Sequence, residues 1–289
     1  MNDQAEMLRQ KMQQSAQTIG RSVAVVSGKG GVGKSNFSIN FAYALTEQQK
    51  RVLIVDMDLG MGNVHVLLGA TPKYHFLDYL KGYKALAEVT NVTTERLHFI
   101  SGGSGLNEVI DWTDEMFNRL TEAFSAFQTQ YDVILFDMGA GANERTIELM
   151  MALDEIIVIS TPEPTSITDA YSMIKYIALK DAETSFHLVG NRTPKKSRSN
   201  DAIIRLQFAM KRFLQLEANV LGTLSEDAVV SKAVMQQKPY VELFPRATIT
   251  REIQQIARNF TEESQLETAQ RTSNVLGKLK RIFSKGRDT

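Results

Sequence analysis

The sequence contains no cysteine among its 289 residues. Thiolates are the usual ligands of iron–sulfur clusters, so we expect no such cluster in this protein. The four histidines are not paired at the spacing of metal ligands, and we interpret them as structural or surface residues. They are His65, His75, His98 and His187. The composition therefore argues against a protein built around a soft metal.

Long apolar runs and an excess of one charge are missing as well. No run approaches the roughly 18 residues of a transmembrane helix, and the opening MNDQAEMLRQKMQQ is polar, unlike a secretion signal. Lys+Arg and Asp+Glu both number 33, so the whole-chain charge predicts no specific nucleic-acid partner. We expect a cytoplasmic protein with one large α/β domain and room for terminal extensions.

The most informative stretch is a glycine-rich loop, SGKGGVGKS, at residues 27–35. It follows the apolar run Val23–Val26 and precedes a helical pattern that starts near Phe37. Glycines let backbone N–H groups wrap around phosphate oxygens, and the helix N-terminus favours an anion. Lys34 can reach the β- and γ-phosphates, and the Ser35 hydroxyl can ligate Mg²⁺. The predicted nucleotide contacts are Gly28, Lys29, Gly30, Gly31, Val32, Gly33, Lys34, Ser35 and Asn36.

Two further apolar runs end in carboxylates. Val52–Val55 leads into Asp56 and Asp58, and Val133–Phe136 leads into Asp137. Open parallel sheets present their ligand site at the carboxyl ends of the strands, where these aspartates are expected. The second run is typical of a Walker B motif, whose carboxylate holds Mg²⁺, generally through water. The alternation of strands and helices from 23 to 260 predicts a mostly parallel sheet with helices on both faces.

These motifs resemble the MinD/ParA family of P-loop ATPases over about residues 21–245. The opening KGGVGKS is similar to the family's deviant Walker A motif, whose signature lysine reaches a partner's nucleotide across a dimer interface. Lys29 is that lysine here. The resemblance implies a P-loop NTPase fold, ATP/ADP and Mg²⁺ as ligands, and a homodimer in the ATP state.

The same resemblance implies roles for individual residues. The catalytic residues are Lys29, Lys34 and Asp58, and Asp58 positions the attacking water. The metal site is Ser35, Asp58 and Asp137, and Asn191 with Arg192 matches the adenine-reading strand end. The sequence departs from the family at Gly139, where MinD has proline, and at Ser225, where proline is frequent.

Three segments resemble the flagellar branch of the family: DMGAG at 137–141, TPEPTSITDAY at 161–171 and DQAEMLR at 3–9. This implies an ATPase that regulates the number and placement of flagella, with flagellar switch (C-ring) proteins as partners. It also implies an N-terminal helix that docks on FlhF, a signal-recognition-type GTPase. The residues expected to bind FlhF are Asp3, Gln4, Ala5, Leu8 and Arg9, with Gln4 assisting catalysis in trans.

Other readings stay open at this point. A DNA-segregation ATPase of the ParA type shares the ATP site, as does a division-site regulator of the MinD type. A nucleotide-binding scaffold without turnover is a third alternative, although Lys34, Asp58 and Asp137 are all present. The expected activity is slow ATP hydrolysis that lipid or a partner stimulates.

The last segment combines an apolar stripe with basic residues. Such a helix is too short and too charged to span a bilayer, but it can lie in the interface of an anionic membrane. The residues predicted to contact the membrane are Val275, Leu276, Leu279, Ile282, Phe283, Lys278, Lys280 and Arg281. We therefore expect a partner-binding helix at 1–20, an ATPase domain at 21–265, and a membrane-targeting helix at 266–289. The protein would be peripheral at the inner face of the cell membrane.

Overall fold

The computed structural model describes residues 19–59, 61–103, 112–139, 144–181, 184–194, 201–267, 275, 277 and 278. The predicted FlhF-binding residues lie outside the described residues: Asp3, Gln4, Ala5, Leu8 and Arg9. Most of the predicted membrane contacts lie outside them too: Leu276, Leu279, Lys280, Arg281, Ile282 and Phe283. In the described part, no helix is long and apolar enough to cross a membrane.

A single sheet organises the described part of the chain. Its strands are β1 (Arg21–Val26), β2 (Val52–Asp56), β3 (Thr90–Thr94), β4 (Leu97–Ile100), β5 (Val133–Asp137), β6 (Glu155–Ser160), β7 (Ser185–Thr193) and β8 (Ala218–Ser225). They lie in the order β3-β4-β2-β5-β1-β6-β7-β8. Every neighbouring pair is parallel except β3 with β4, which is antiparallel. The predicted mostly parallel sheet is confirmed.

Helices connect the strands and cover both faces. The described helices are α1 (Lys34–Glu47), α2 (Val64–Leu67), α3 (Phe76–Leu80), α4 (Leu86–Val89), α5 (Asp114–Gln130), α6 (Glu144–Ala152), α7 (Pro164–Lys180), α8 (Asp201–Ala209), α9 (Ala228–Met235), α10 (Tyr240–Leu243) and α11 (Thr248–Glu267). Helix α8 continues into a π-helical turn, Met210–Leu214.

The sheet separates two apolar cores. Successive residues of β1 point to opposite faces, so that Val23 and Val25 enter one core while Ala24 and Val26 enter the other. Helices α1, α10 and α11 cover the first core, and α3, α5, α6, α7 and α8 cover the second. Strands buried on both faces are apolar at nearly every position, and this is why β1, β2 and β5 appear in the sequence as almost continuous apolar runs.

Three elements had no signal in the sequence that we could use. β3 reads TNVTT and lies at the sheet edge, where a strand needs no apolar run. Helix α6 follows the switch segment after Asp137, and α8 follows the basic loop at 193–200. Helix α11 also continues to Glu267, seven residues beyond the predicted end at 260.

A buried ionic cluster lies at the end of the sheet where the parallel strands begin. Glu155, at the start of β6, accepts hydrogen bonds from Arg21 Nη2 at 2.6 Å and pairs with His187 Nε2 at 2.7 Å. The Arg21 guanidinium also lies 3.9 Å from the ring centroid of Phe260 in α11. Burial alone would raise the pKa of Glu155, but the His187 hydrogen bond and the Arg21 charge lower it from 4.5 to about 2. The cluster joins β1, β6, β7 and α11.

This cluster predicts a pH-dependent stability. A carboxyl whose pKa is depressed on folding stabilises the protein above its unfolded pKa, and that contribution is lost as the pH falls from 4.5 towards 2. The shift corresponds to about 3 kcal/mol of folding free energy. Thermal unfolding between pH 7 and pH 3 should therefore show a steep fall in Tm below pH 4.5 that is much reduced in Glu155→Gln. Glu217→Gln, which removes an exposed partner of Lys211, is the control and should keep the wild-type slope. An unchanged slope in Glu155→Gln would contradict the assignment.

Candidate nucleotide-binding site

The strand order gathers the predicted functional residues at one edge of the sheet. Strand β5 lies between β1 and β2, so the glycine-rich loop after β1 and the aspartates that end β2 and β5 are neighbours. Asp56 is in register with Asp137 across β2 and β5. Asn191 lies towards the end of β7, on the other side of β1. The convergence predicted from the sequence is present.

The loop conformation requires glycine at specific positions. Gly31 and Gly33 have φ values of 80° and 93°, in the left-handed region that side chains disfavour. A Cβ at Gly28 would lie 2.3 Å from the backbone carbonyl carbon of Asp169, so the loop packs against α7 without space for a side chain. Helix α1 starts directly at Lys34, and its N-terminus has neither a side-chain cap nor an acidic residue in its first turn. That arrangement leaves N–H groups and the positive helix end facing the loop, which suits a phosphate.

Lys34 and Asp137 face each other under this loop. The Lys34 Nζ atom lies 3.7 Å from Asp137 Oδ1, and both side chains are largely buried. The Ser38 hydroxyl, one turn further along α1, donates to the same oxygen at 3.1 Å. Ser38 belongs to no sequence motif, although its spacing from Lys34 places it on the same helical face. Ser38 holds the Asp137 carboxylate in place.

The carboxylates at this edge are in an unfavourable electrostatic environment. Burial raises the pKa of the Asp137 carboxyl, while the Lys34 charge and hydrogen bonds from Ser35 and Ser38 act in the opposite direction. Burial and the Asp137 charge raise the pKa of Asp56 to about 7. Three carboxylates, those of Asp56, Asp58 and Asp137, thus interact at this end of the strands while Lys34 acts on Asp137, so additional positive charge would be strongly favourable.

Asp58 lies where two segments meet. A Cβ on Gly139, after β5, would be 3.4 Å from Asp58 Cγ, and a Cβ on Gly102 would be 2.6 Å from the Asp58 carbonyl oxygen. The close approach at Gly102 depends on the absence of a side chain, whereas a Cβ at 139 would make an ordinary van der Waals contact with the Asp58 carboxyl group. The Asp58 carboxyl group therefore lies beside the segment that follows Asp137, at the position where the sequence departs from MinD.

The residues present fit a Mg²⁺–nucleotide complex. The donor set is the Ser35 hydroxyl and the Asp137 carboxylate, and Ser35 acts to lower the pKa of that carboxyl; hard oxygen ligands of this kind suit Mg²⁺. Among the described residues no group of three or more His, Cys, Asp or Glu side chains is arranged to hold an ion by itself. This agrees with the usual protein Mg²⁺ site, which relies on one or two carboxylates together with phosphate oxygens and water.

The Lys29 side chain lies on the outside of the loop. Its Nζ atom pairs with Glu163 Oε2 at 3.2 Å, and the two side chains are 46% and 59% exposed. Glu163 is the residue immediately before α7 and was not singled out in the sequence. Lys29, the signature lysine, therefore pairs at the protein surface, whereas Lys34 of the same loop pairs with the buried Asp137.

A cavity of about 810 Å³ opens beside the loop. Its lining residues include Gly33, Asn36, Asn191, Arg192, Asp227 and Met235. The Asn191 amide donates to the Val32 carbonyl oxygen at 2.7 Å, and a Cβ on Gly33 would lie 2.5 Å from the same nitrogen. Asn191 therefore connects β7 to the phosphate loop, while Arg192, with a φ of 55°, is exposed at the rim.

The floor of this cavity carries a polar pair that proline at 225 would not allow. The Ser225 N–H and hydroxyl both donate to Glu252 Oε2, at 2.8 and 2.9 Å. Proline has no N–H, so a proline at 225 could not donate the first of these hydrogen bonds. In this chain the Glu252 carboxylate holds the end of β8 through Ser225. Tyr240 also lines the cavity. Desolvation by burial raises the pKa of its hydroxyl, and the negative charge of Glu252 raises it further.

Comparison with known proteins agrees with this geometry. The ParA family, described as an NUBPL iron-transfer P-loop NTPase, matches residues 18–261. The antiactivator FleN of Pseudomonas aeruginosa is 34% identical over 225 residues, covering 78% of this chain and 80% of FleN. The flagellum site-determining protein YlxH of Helicobacter pylori is 31% identical over 238 residues, covering 81% of this chain and 80% of YlxH.

A solved structure gives the same result for the fold. The septum site-determining protein MinD of Pyrococcus horikoshii, complexed with Mg-ADP, superposes with a TM-score of 0.68 at 25% identity, covering 86% of this chain and 98% of that one. The iron-transfer description of the matching family does not extend to thiolate ligands here, since the sequence contains no cysteine. The chain belongs to the MinD/ParA family of P-loop ATPases and, within it, to the FlhG group that includes FleN and YlxH.

Proposed function

We propose that the protein is an ATP-dependent dimerisation switch that binds the membrane in its ATP state and thereby regulates the number and placement of flagella. One observation carries the dimer: in the described part of the chain, Lys29 pairs with the exposed Glu163, at 3.2 Å. Exposed ion pairs contribute little free energy. The lysine can therefore exchange Glu163 for a phosphate on a second subunit placed against this face, at little cost.

Hydrolysis in this site depends on positioning and charge. The backbone of the glycine-rich loop and Lys34 hold the β- and γ-phosphates, and Ser35 with Asp137 would hold Mg²⁺, which would neutralise charge on the phosphates. Asp58 orients the attacking water beside Gly139. Asn191 and the cavity beside it receive the base. The Mg-ADP bound by the Pyrococcus horikoshii MinD supports the same ligand for this chain.

The flagellar role rests on the relatives. FleN is an antiactivator and YlxH a flagellum site-determining protein, and the flagellar switch (C-ring) proteins are the corresponding partners of this chain. A ParA-type DNA-segregation ATPase or a MinD-type division-site regulator would share the ATP site. The ParA alternative would bind duplex DNA in a salt-sensitive manner when ATP is present, so ATPase assays with lipid and with DNA separate the two.

The C-terminal segment has a role in both nucleotide states. Val275 is buried among residues of the second core, and Lys278 Nζ lies 3.1 Å from Asp181 Oδ2, at the end of α7, and 3.4 Å from the Met151 carbonyl oxygen in α6. Two of the eight residues predicted to contact the membrane are thus engaged with the domain. We propose that this is the resting arrangement and that the ATP dimer releases the segment to an anionic bilayer.

The N-terminal segment supplies the second partner contact. Its sequence pattern supports docking on FlhF, with Leu8 and Ala5 on one helical face and Gln4 near the GTPase site. We propose that this contact stimulates GTP hydrolysis by FlhF.

Size-exclusion chromatography with ATP tests the switch. The wild-type protein should shift to a dimer, Lys29→Ala should bind ATP yet stay monomeric, and Lys34→Ala should lose nucleotide binding by at least about 100-fold, as the loop loses its phosphate-binding charge. Asp58→Ala should bind ATP, hydrolyse it slowly and accumulate as dimer.

The control for these variants is Lys175→Ala, which removes an exposed charge from α7 and should dimerise normally. A wild-type chain that stays monomeric with ATP would refute the mechanism.

Co-sedimentation with anionic liposomes tests the C-terminal segment. ATP-bound protein should pellet, whereas ADP-bound protein and a chain truncated before Arg271 should not. Asp181→Asn removes the Lys278 partner, which is only partly exposed, and should raise pelleting in ADP by up to about fivefold, the factor that corresponds to roughly 1 kcal/mol. Equal pelleting of the ATP-bound and truncated chains would show that the segment is structural.

A peptide of residues 1–20 tests the contact with FlhF. It should raise the GTPase rate of FlhF several-fold, and the Gln4→Ala peptide should bind but stimulate much less, since it lacks the amide that would orient the attacking water. No effect of the wild-type peptide on the rate would eliminate this partner role.

A further inference from the structure

Asp56 is a buried carboxylate that the proposed hydrolysis does not use. It ends β2 and is 1% exposed. Its two oxygens accept hydrogen bonds from opposite ends of the following loop: Oδ1 from the Asp58 N–H at 3.1 Å and Oδ2 from the Val64 N–H at 3.2 Å. The Asp56 side chain therefore links the Asp58 backbone to the backbone of Val64 at the start of α2.

The surroundings hold this link tightly. A Cβ on Gly62 would lie 2.5 Å from Asp56 Oδ2, so the loop can fold over the carboxylate only because that residue is glycine. The Gly62 N–H donates to the Gly103 carbonyl oxygen at 3.0 Å, and the Met57 N–H donates to the Asp137 carbonyl oxygen at 2.9 Å. These contacts attach the same loop to the ends of β4 and β5.

The chemistry of the two hydrogen bonds requires a carboxylate. Two backbone donors reach two separate oxygens, and only an acidic side chain presents an acceptor at both positions. Asparagine would offer one carbonyl oxygen and place an NH₂ group against the other N–H, leaving a buried donor without a partner. A side chain of the same shape that lacks the second acceptor oxygen could therefore not make both hydrogen bonds.

We propose that Asp56 is a positioning residue for hydrolysis: by joining the Asp58 and Val64 N–H groups, it holds the loop so that the Asp58 carboxyl group stays against Gly139. This inference rests on the proposed catalytic role of Asp58. Asp56 acts through Asp58, because each of its two oxygens accepts a hydrogen bond from the loop backbone.

The test combines kinetics with hydrogen exchange on the full-length protein. Asp56→Asn should leave the Kd for Mg-ATP and the KM within about twofold of wild type, while kcat falls at least tenfold. The amides of Asp58 and Val64 should exchange at least tenfold faster. Since Asp56 works through Asp58, the double variant Asp56→Asn/Asp58→Ala should be no slower than Asp58→Ala alone.

A neighbouring buried hydroxyl provides the matched control. The Ser101 side chain contacts His65 Nδ1 at 3.1 Å and accepts from the Gly103 N–H at 3.2 Å, without touching Asp56. Ser101→Ala should lower Tm about as much as Asp56→Asn yet keep kcat within about twofold of wild type. A tenfold loss of kcat in this control would assign the effect to general loosening of the region and overturn the proposal.

Other outcomes overturn the proposal for identifiable reasons. A tenfold weaker Kd for Mg-ATP in Asp56→Asn would place Asp56 in the nucleotide site itself, and a double variant slower than Asp58→Ala would show an independent effect. Faster exchange with an unchanged kcat would leave the hydrogen bonds without a catalytic role. A wild-type rate in Asp58→Ala would refute the role of Asp58 itself, and this failure is distinguishable because Asp56 is intact there.

Discussion

The site is organised by the cost of burying negative charge. Asp56 and Asp137 end adjacent strands in register, and the Lys34 Nζ atom lies 3.7 Å from Asp137 Oδ1. Such an arrangement is unfavourable in isolation, because both carboxylates are buried and the Asp137 charge raises the pKa of Asp56. It becomes favourable when additional positive charge is bound with a polyphosphate. The same electrostatic imbalance that weakens the resting edge of the sheet therefore favours binding of its ligand.

At the other end of the strands, where they begin, a buried carboxylate is instead compensated by neighbouring groups. Glu155 is as buried as Asp137, but Arg21 and His187 satisfy it completely enough to lower its pKa to about 2. One end of the sheet thus carries a compensated charge and the other an uncompensated one. Because stability is distributed unevenly in this way, the loops at the nucleotide edge are free to respond to ligand without loss of the fold.

Local sequence patterns predicted most of the fold and the ligand edge. The apolar runs of β1, β2 and β5 end at Ser27, Asp56 and Asp137, and a parallel sheet brings such strand ends together whatever the loops between them contain. The glycines of the loop indicated a close approach of the backbone to phosphate, and Gly31 and Gly33 also adopt positive φ values that glycine accepts most readily. The role of Asp58 came from resemblance, not from the pattern of residues around it.

What could not be predicted depends on contacts between distant segments. Ser38 and Glu252 become informative only when they lie beside Asp137 and Ser225, and β3 carries no apolar signal because it covers an edge. The partners of Lys29 and Lys278 are likewise 134 and 97 residues away in the chain. Single-sequence patterns report which face of an element is apolar, but not which polar group it meets.

Helix α11 gives the C-terminal segment a fixed origin. Phe260, inside this helix, is fully buried and lies against the Arg21 guanidinium, so the helix cannot shift without disturbing the sheet. From its last residue, Glu267, to Val275 the chain spans at most roughly 28 Å, the fully extended length of eight residues. If the segment binds an anionic bilayer as proposed, Val275 can reach that bilayer only within this distance of the helix end. The side of the molecule on which α11 ends would then face the lipid, and anchoring would orient the ATPase as well as retain it.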